Sequence, residues 1–169
     1  MKVKNKKTEY TPFKKISDTN VVVMWDYTPI FKSNAKGEKI ETPLAVWQEK
    51  RFNYVPTLNE IKELINGYYN KVVEETILSG FVWKGMQVWL STENQFNYKA
   101  AYDLALQTNG ASLPMTFKFS NDTENVYYTF QTIDEITDFY MKAIKHIQTS
   151  LETGWLKKDK INWNLYMNS

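Results

Sequence analysis

Hydrophobic residues recur along this chain with two periods, one typical of strands and one typical of helices. The period changes from strand-like to helix-like three times. Segments with strand-like alternation or short apolar runs precede segments whose apolar residues recur at helical spacing. The predicted strands span 20–31, 42–54, 81–83, 86–90, 113–119 and 126–131, and a polar loop is predicted over Ser120–Asn125. The predicted helices begin near residues 57, 92 and 132. The pattern therefore predicts three hairpin–helix units.

Each predicted helix has a capping-box pattern at its start, in which a Thr is followed three residues later by Glu or Gln. The three pairs are Thr57 with Glu60, Thr92 with Gln95, and Thr132 with Glu135. Three glycines stand where a left-handed residue would end each helix, namely Gly80, Gly110 and Gly154. Gly67 falls inside the first helix, and close packing against another backbone would explain it.

The fold class that follows is α+β. We expect a single compact domain of three hairpin–helix units, with one mixed antiparallel sheet and helices packed on it. The third helix carries its predicted core stripe at Ile136, Tyr140, Ala143, Ile144, Ile147 and Leu151. The predicted domain boundaries are 1–15 for a basic N-terminal arm and 16–169 for the α+β domain.

Composition removes several classes of function. The chain has 169 residues, which is typical of one domain, and it contains no cysteine. Disulfides, thiolate metal sites and cysteine nucleophiles are therefore excluded. No apolar run approaches the ~20 residues that cross a bilayer, so we expect no membrane partner.

Charge is concentrated at the N-terminus. Residues 1–15 hold six lysines against Glu9, a net charge of +5, while the whole chain carries +2. The six lysines are Lys2, Lys4, Lys6, Lys7, Lys14 and Lys15. Two interpretations remain open: a solvated terminus, or a tail that binds an acidic neighbour. We expect nucleic acid to bind, if at all, only through this arm.

Aromatic residues make up 15% of the chain, which fits either a β-rich core or a binding surface. The dipeptide Lys84-Gly85 predicts a two-residue hairpin turn, which places Trp83 and Trp89 on opposite faces. Either the hairpin is covered on both faces or one Trp meets a partner. Four tryptophans are therefore candidates for partner contacts: Trp83, Trp89, Trp155 and Trp163.

Residues that could carry chemistry are sparse. His146 is the only histidine, and no carboxylate or second histidine lies three or four residues away, which favours a surface histidine over a metal ligand. Asp134 and Glu135 are explained by the favourable field of a helix N-terminus. No phosphate-binding glycine loop or nucleophile elbow occurs. We therefore expect no enzyme activity, no metal and no cofactor.

Three blocks of the sequence carry a family resemblance. They are Ile77–Lys99, which includes the run SGFVWKGMQVWLS, Leu113–Phe119 (LPMTFKF) and Lys157–Ile161 (KKDKI). Together they resemble small proteins of unknown function from tailed phages and prophages of gut Bacteroidetes, crAss-like and related, which are associated with tails and tail fibres. The resemblance covers about 10–165 and is strongest over 77–165.

The resemblance implies a virion structural or adaptor protein of the tail or neck, assembled in the cytoplasm of the bacterial host. Its partners would be other virion proteins and copies of itself in a symmetric assembly. It transfers no catalytic residues. Two alternatives remain open: a glycan- or peptide-binding module of a tail fibre, and a fibre-assembly factor that is absent from the virion.

Overall fold

The computed structural model describes residues 1–119 and 126–167, so the loop predicted over Ser120–Asn125 lies outside the described residues. The strands are β1 (Lys2–Lys6), β2 (Phe13–Lys15), β3 (Val21–Ser33), β4 (Lys39–Phe52), β5 (Phe81–Trp83), β6 (Met86–Val88), β7 (Met115–Lys118) and β8 (Tyr127–Phe130). The helices are α1 (Leu58–Ser79), α2 (Thr92–Gln107) and α3 (Ile133–Asp159), with short 3-10 turns at Lys7–Glu9 and Trp163–Tyr166. An antiparallel hairpin precedes each long helix. The predicted α+β class and its three hairpin–helix units are confirmed.

The strands form three separate sheets instead of the single mixed sheet that the sequence predicted. Four strands pair in the order β1-β4-β3-β2, and the pairs β5-β6 and β7-β8 each stand alone within the described ranges. Every pairing is antiparallel. The short hairpins bury one face each, so they gain stability from helix packing and need no further strands.

The chain divides into two compact units. Unit 1 holds Met1–Gly67 together with the chain from Lys160 onward, and unit 2 holds Tyr68–Asp159. This division differs from the predicted arm at 1–15 and single domain at 16–169. The N-terminal segment is no separate arm, because β1 and β2 are strands of the unit 1 sheet.

Unit 1 is organised around the four-stranded sheet. Val21 to Trp25 are all buried, which agrees with the prediction of a strand covered on both faces. One face holds a cluster of Val22, Met24, Ala45 and Trp47, against which Val3 and Tyr10 pack. The Tyr166 hydroxyl donates to the Met24 carbonyl at 2.8 Å, which ties the C-terminal 3-10 turn to this sheet.

Unit 2 has an aromatic core. Phe139 lies within 6 Å, between ring centroids, of five other aromatic side chains that come from both short hairpins, from α2 and from the residue after β7. These neighbours are Phe81, Trp83, Tyr98, Phe119 and Phe130. Each is at most 5% exposed. Four of these ring pairs are tilted or edge-on and one is stacked, and such pairs add to the stabilisation from buried area alone.

The helix starts follow the predicted caps in part. At α1, Thr57 and Glu60 form the full capping box, with Glu60 Oε2 accepting the Thr57 N–H at 2.7 Å. At α2, the cap is Ser91 and not Thr92, since the Ser91 hydroxyl accepts the Asn94 N–H at 3.2 Å. At α3, Thr132 caps as predicted, but the Glu135 carboxylate accepts the N–H of Gln131.

The glycine predictions are only partly right. Gly110 has φ +84 just beyond α2, as expected. Gly80 follows α1 without a left-handed φ; its N–H donates to the Thr76 carbonyl at 2.9 Å. Gly154 does not end α3 but lies inside it, where an added Cβ would stand 2.3 Å from Val73 Cγ2. Gly67 has no atom within 4 Å of an added Cβ, so the predicted close backbone packing is wrong.

Candidate contact surfaces

The far half of the β3–β4 hairpin is largely exposed. Strand β1 covers β4 only over Leu44–Gln48, and β2 pairs with β3 only over Val21–Val23. Beyond β1 and β2, the two strands continue as a two-stranded segment of residues 28–33 and 39–43, which we call the ribbon. Phe31 is 51% exposed and Ile40 is 45% exposed there. Because a two-stranded ribbon alone is marginally stable in water, its apolar side chains favour a partner.

The edges of the ribbon are protected against strand addition. Pro29 and Pro43 lack the N–H that an added strand would need. Asp26 has φ +56, and the register shifts on either side of Thr28 and Pro29. Bulges and prolines are devices that keep edge strands from pairing with other chains. A partner would therefore contact the side-chain faces of the ribbon.

The tip of the ribbon is held by local hydrogen bonds. The Asn34 Oδ1 accepts the N–H groups of Lys36 at 2.9 Å and Glu38 at 3.0 Å, and Gly37 adopts φ +78. Asn34 also donates its side-chain amide to Glu38 at 2.7 Å. An Asx-type turn of this sort fixes the tip and limits the entropy that binding would cost.

Three of the six predicted lysines lie on strand β1, and the other three lie after it in the chain. Lys2, Lys4 and Lys6 alternate with Val3, which packs against the unit 1 core, so they project from the opposite face of β1. Within 1–119 and 126–167, none of these three lysines makes an ion pair. The other predicted lysines lie differently: Lys7 pairs with Glu41, Lys14 lies 3.6 Å from Glu9, and Lys15 is exposed.

The four candidate tryptophans have different environments. Trp83 is 2% exposed and its indole N–H donates to Asp138 at 2.9 Å, so the prediction that it is a partner contact is wrong. Trp89 and Trp163 are half-buried, and Trp163 has the Lys62 ammonium 5.7 Å from its ring centroid. Only Trp155, at 53% exposure, presents a large apolar surface.

Helix α3 carries a second exposed apolar set. Ile144, which the sequence placed in the core stripe, is 42% exposed, and Met141 and Leu156 are 56% and 58% exposed. Together with Trp155 they lie outside the buried face formed by Ile136, Phe139 and Ala143. Ile144 and Trp155 lie three and fourteen residues after Met141, which are close to whole numbers of helical turns, and this spacing could have signalled the second stripe.

A cleft of about 150 Å³ borders Trp155. Its polar lining residues are Asn70, Glu74 and Lys158, and the Lys158 ammonium donates to Asn70 Oδ1 at 2.9 Å. A flat aromatic side chain beside amide, carboxylate and ammonium groups combines apolar contact with directional hydrogen bonds.

A larger groove of about 270 Å³ lies along α1 and α3, entirely within unit 2. Val73 and Gly154 line both the groove and the Trp155 cleft. Sequence alone does not predict this groove, because Gly154 is expected to end a helix there. The run of small residues at Thr149, Ser150, Thr153 and Gly154 was the available signal.

His146 sits at one end of this groove. Its Nε2 lies 3.0 Å from the Thr76 carbonyl oxygen, and its ring centroid lies 5.5 Å from that of Phe81. The residue is half-buried and links α3 to α1, so it is less exposed than the predicted surface histidine. In 1–119 and 126–167, no three His, Cys, Asp or Glu side chains come together as a metal site would need.

An ionic network closes the β5–β6 turn. Lys84, at φ +48 in the predicted Lys84-Gly85 turn, donates to Tyr128 at 2.7 Å and to Glu135 at 2.9 Å. The N–H of Gln131 and the hydroxyl of Tyr128 also donate to Glu135, and these bonds lower its pKa to about 2. The same two acceptors raise the pKa of Lys84. The network therefore fixes the β5–β6 turn.

None of the helices in the described residues has the length and apolar character needed to traverse a bilayer. Comparison of the chain with protein-family models, with curated proteins and with solved structures found no match.

Proposed function

We propose that this protein is a structural or adaptor protein of a bacteriophage particle, in the tail or neck region, without catalytic activity. It acts through contacts with other virion proteins and with copies of itself in a symmetric assembly, formed in the cytoplasm of the bacterial host. The contact role is supported by the ribbon. It exposes Phe31 and Ile40 on a hairpin that extends beyond its neighbouring strands.

The ribbon is suited to a side-chain contact. Its tip is fixed by Asn34, its edges are blocked by prolines, and its apolar residues are roughly half exposed. A preformed element loses little freedom on binding, so more of the contact energy remains as affinity. Such an element supports recognition by another protein better than catalysis, which needs a concave site with convergent polar groups.

The charges of the two units favour self-association. Unit 1 contains 13 basic and 8 acidic residues, a net charge of +5, whereas unit 2 contains 8 basic and 11 acidic residues, a net charge of −3. Opposite charges on two surfaces of one chain favour contacts between different patches of neighbouring copies. Such heterologous contacts close into rings when the rotation permits. The phage setting itself rests on the sequence resemblance over 77–165.

A particle-incorporation assay with two matched double variants tests the contact role. Phe31→Ser with Ile40→Ser removes the apolar ribbon contacts, and Val82→Ser with Tyr127→Ser removes two exposed apolar residues of unit 2, each 60% exposed. We expect the ribbon variant to enter particles roughly tenfold less than wild type, equivalent to about 1.4 kcal/mol. Equal incorporation of the ribbon variant and wild type would contradict the proposal.

The Trp155 cleft favours a second candidate function, glycan binding by a tail-fibre module. A sugar ring stacks on an exposed indole while its hydroxyl groups bond to amide and carboxylate groups, and Asn70 and Glu74 line the cleft. Glycan-array binding by the isolated protein, lost in Trp155→Ala and retained in Leu156→Ala, would favour this candidate. Absence of binding to any glycan would remove it.

A further inference from the structure

The groove along α1 and α3 has the dimensions of a small-ligand site. Its volume of about 270 Å³ is close to the lower end of the range for such sites, roughly 300–1,000 Å³. Helix α1 contributes Tyr69, Val72, Val73 and Thr76, at helical spacing along one face. Helix α3 contributes His146, Thr149, Ser150, Thr153, Gly154 and Lys157. The eleven steps of helical rise from His146 to Lys157 correspond to roughly 16 Å.

The groove is open because α3 carries small side chains there. Ser150 and Gly154 are buried beside it, and the Gly154 backbone meets Val73 directly. The hydroxyl groups of Ser150 and Thr153 donate to carbonyls of their own helix, at 2.8 and 2.7 Å. Thr76 does the same on α1, at 2.7 Å. With their hydrogens used internally, these residues leave a lining that is mainly apolar.

Positive charge lies at one end of the groove. Lys157 lies at one end, with its ammonium 5.7 Å from the ring centroid of Tyr69, and His146 lies at the other end. No carboxylate is among the described residues that line the groove. An apolar channel that ends at an ammonium group is complementary to an apolar molecule with one negative end.

We propose that this groove binds a small amphipathic carboxylate, with its alkyl or aryl part along Val72 and Val73 and its carboxylate near Lys157. The ribbon is not required for this binding, so the site is separate from the proposed contact function. Thr149 and Thr153, both exposed, border the opening and leave it accessible to a small molecule.

Calorimetric titration of the full chain with octanoate, octylammonium and 1-octanol tests the proposal. We expect saturable binding of octanoate, weaker binding of 1-octanol and no binding of octylammonium. Lys157→Gln should weaken octanoate binding roughly tenfold. Lys158→Gln, which alters the neighbouring ammonium in the Trp155 cleft, should bind octanoate like wild type.

A groove-filling variant separates the apolar part of the site from its charge. Thr153→Leu should abolish binding of both octanoate and 1-octanol, whereas Glu152→Leu, one residue away and outside the groove, should leave both unchanged. Thermal unfolding of every variant establishes that the fold is intact. The proposal is overturned if octanoate fails to bind wild type, if octylammonium binds equally, or if Lys158→Gln has the effect expected of Lys157→Gln.

Discussion

Aromatic residues serve opposite purposes in the two units of this chain. In unit 2, Phe139 is 1% exposed and its ring contacts five other aromatic side chains of the same unit. In the unit 1 ribbon, Phe31 is 51% exposed on the part of the hairpin that extends beyond β1 and β2. The high aromatic content therefore comes both from a buried core and from an exposed surface. Only the exposed aromatic residues are candidates for partner contacts.

The hairpins show the same contrast. Those of unit 2 are short, three or four residues a strand, and bury one face within the unit. The unit 1 hairpin has strands of 13 and 14 residues, longer than the strands beside it. The unit 1 hairpin is a candidate contact element because its strands extend beyond the strands that pair with it. The short hairpins of unit 2 are structural because one face of each is buried.

The largest expected effect comes from truncating the aromatic core. Phe139→Ala should lower the free energy of unfolding by about 3–5 kcal/mol, because a large buried side chain leaves a cavity. Phe31→Ala should change it by no more than about 1 kcal/mol, since half of that side chain is already in water. Urea denaturation of both variants measures the contrast, and similar losses would erase the distinction between core and ribbon.

A glycine pair tests packing in the helices. Gly154→Ala should destabilise by about 1–3 kcal/mol, because the new methyl group would overlap Val73. Gly67→Ala should stabilise by about 0.5–1 kcal/mol, because the methyl group enters open space in a helix interior. Adding Val73→Ala to Gly154→Ala should recover part of the loss. Equal shifts in urea midpoint for the two glycine variants would contradict this account.

The N-terminal strand offers a third pair. Val3→Ser should destabilise by about 1–2 kcal/mol, because Val3 is half-buried against the core of the unit 1 sheet. Lys4→Ser, on the outward face of the same strand, should stay within about 0.5 kcal/mol of wild type. Chemical denaturation distinguishes them; a neutral Val3→Ser would mean that β1 behaves as the separate basic arm predicted from sequence.

The smallest expected effect concerns pH and the network at the β5–β6 turn. The pKa of Glu135 falls from 4.5 to about 2 in the folded chain. Its stabilising contribution is therefore complete above about pH 4.5 and is lost as the pH falls toward 2. Glu135→Gln should be less stable than wild type at pH 7, with a difference that shrinks at pH 2.5. Glu93→Gln, in the first turn of α2, controls for helix-dipole charge.

Local signals in the sequence predicted the elements well. The Thr57–Glu60 capping box and the Lys84-Gly85 turn both depend on interactions within a few residues, so a single segment contains the needed information. At the second helix Thr92 is the predicted cap and Ser91 is the observed one, because both residue types can cap and only the geometry selects between them. Gly154 and Ile144 were misplaced because their roles depend on what lies opposite them in three dimensions.

The candidate sites were much less predictable. Lysines at positions 2, 4 and 6 suggested a loose arm, since nothing local reveals that they alternate with Val3 on a paired strand. The groove beside Lys157 forms between helices that are separated by more than fifty residues of sequence, so no motif marks it. Exposure of Phe31 and burial of Trp83 likewise follow from strand cover and helix packing, which residue type alone does not determine.

The proposed function is tested most directly by quantitative mass spectrometry of purified particles of the phage that would encode this chain. The account predicts that the protein is present at a copy number that is a multiple of five, six or twelve, as a symmetric structural role requires. Absence of the protein from purified particles would contradict the account and favour a fibre-assembly factor that acts before the virion is complete.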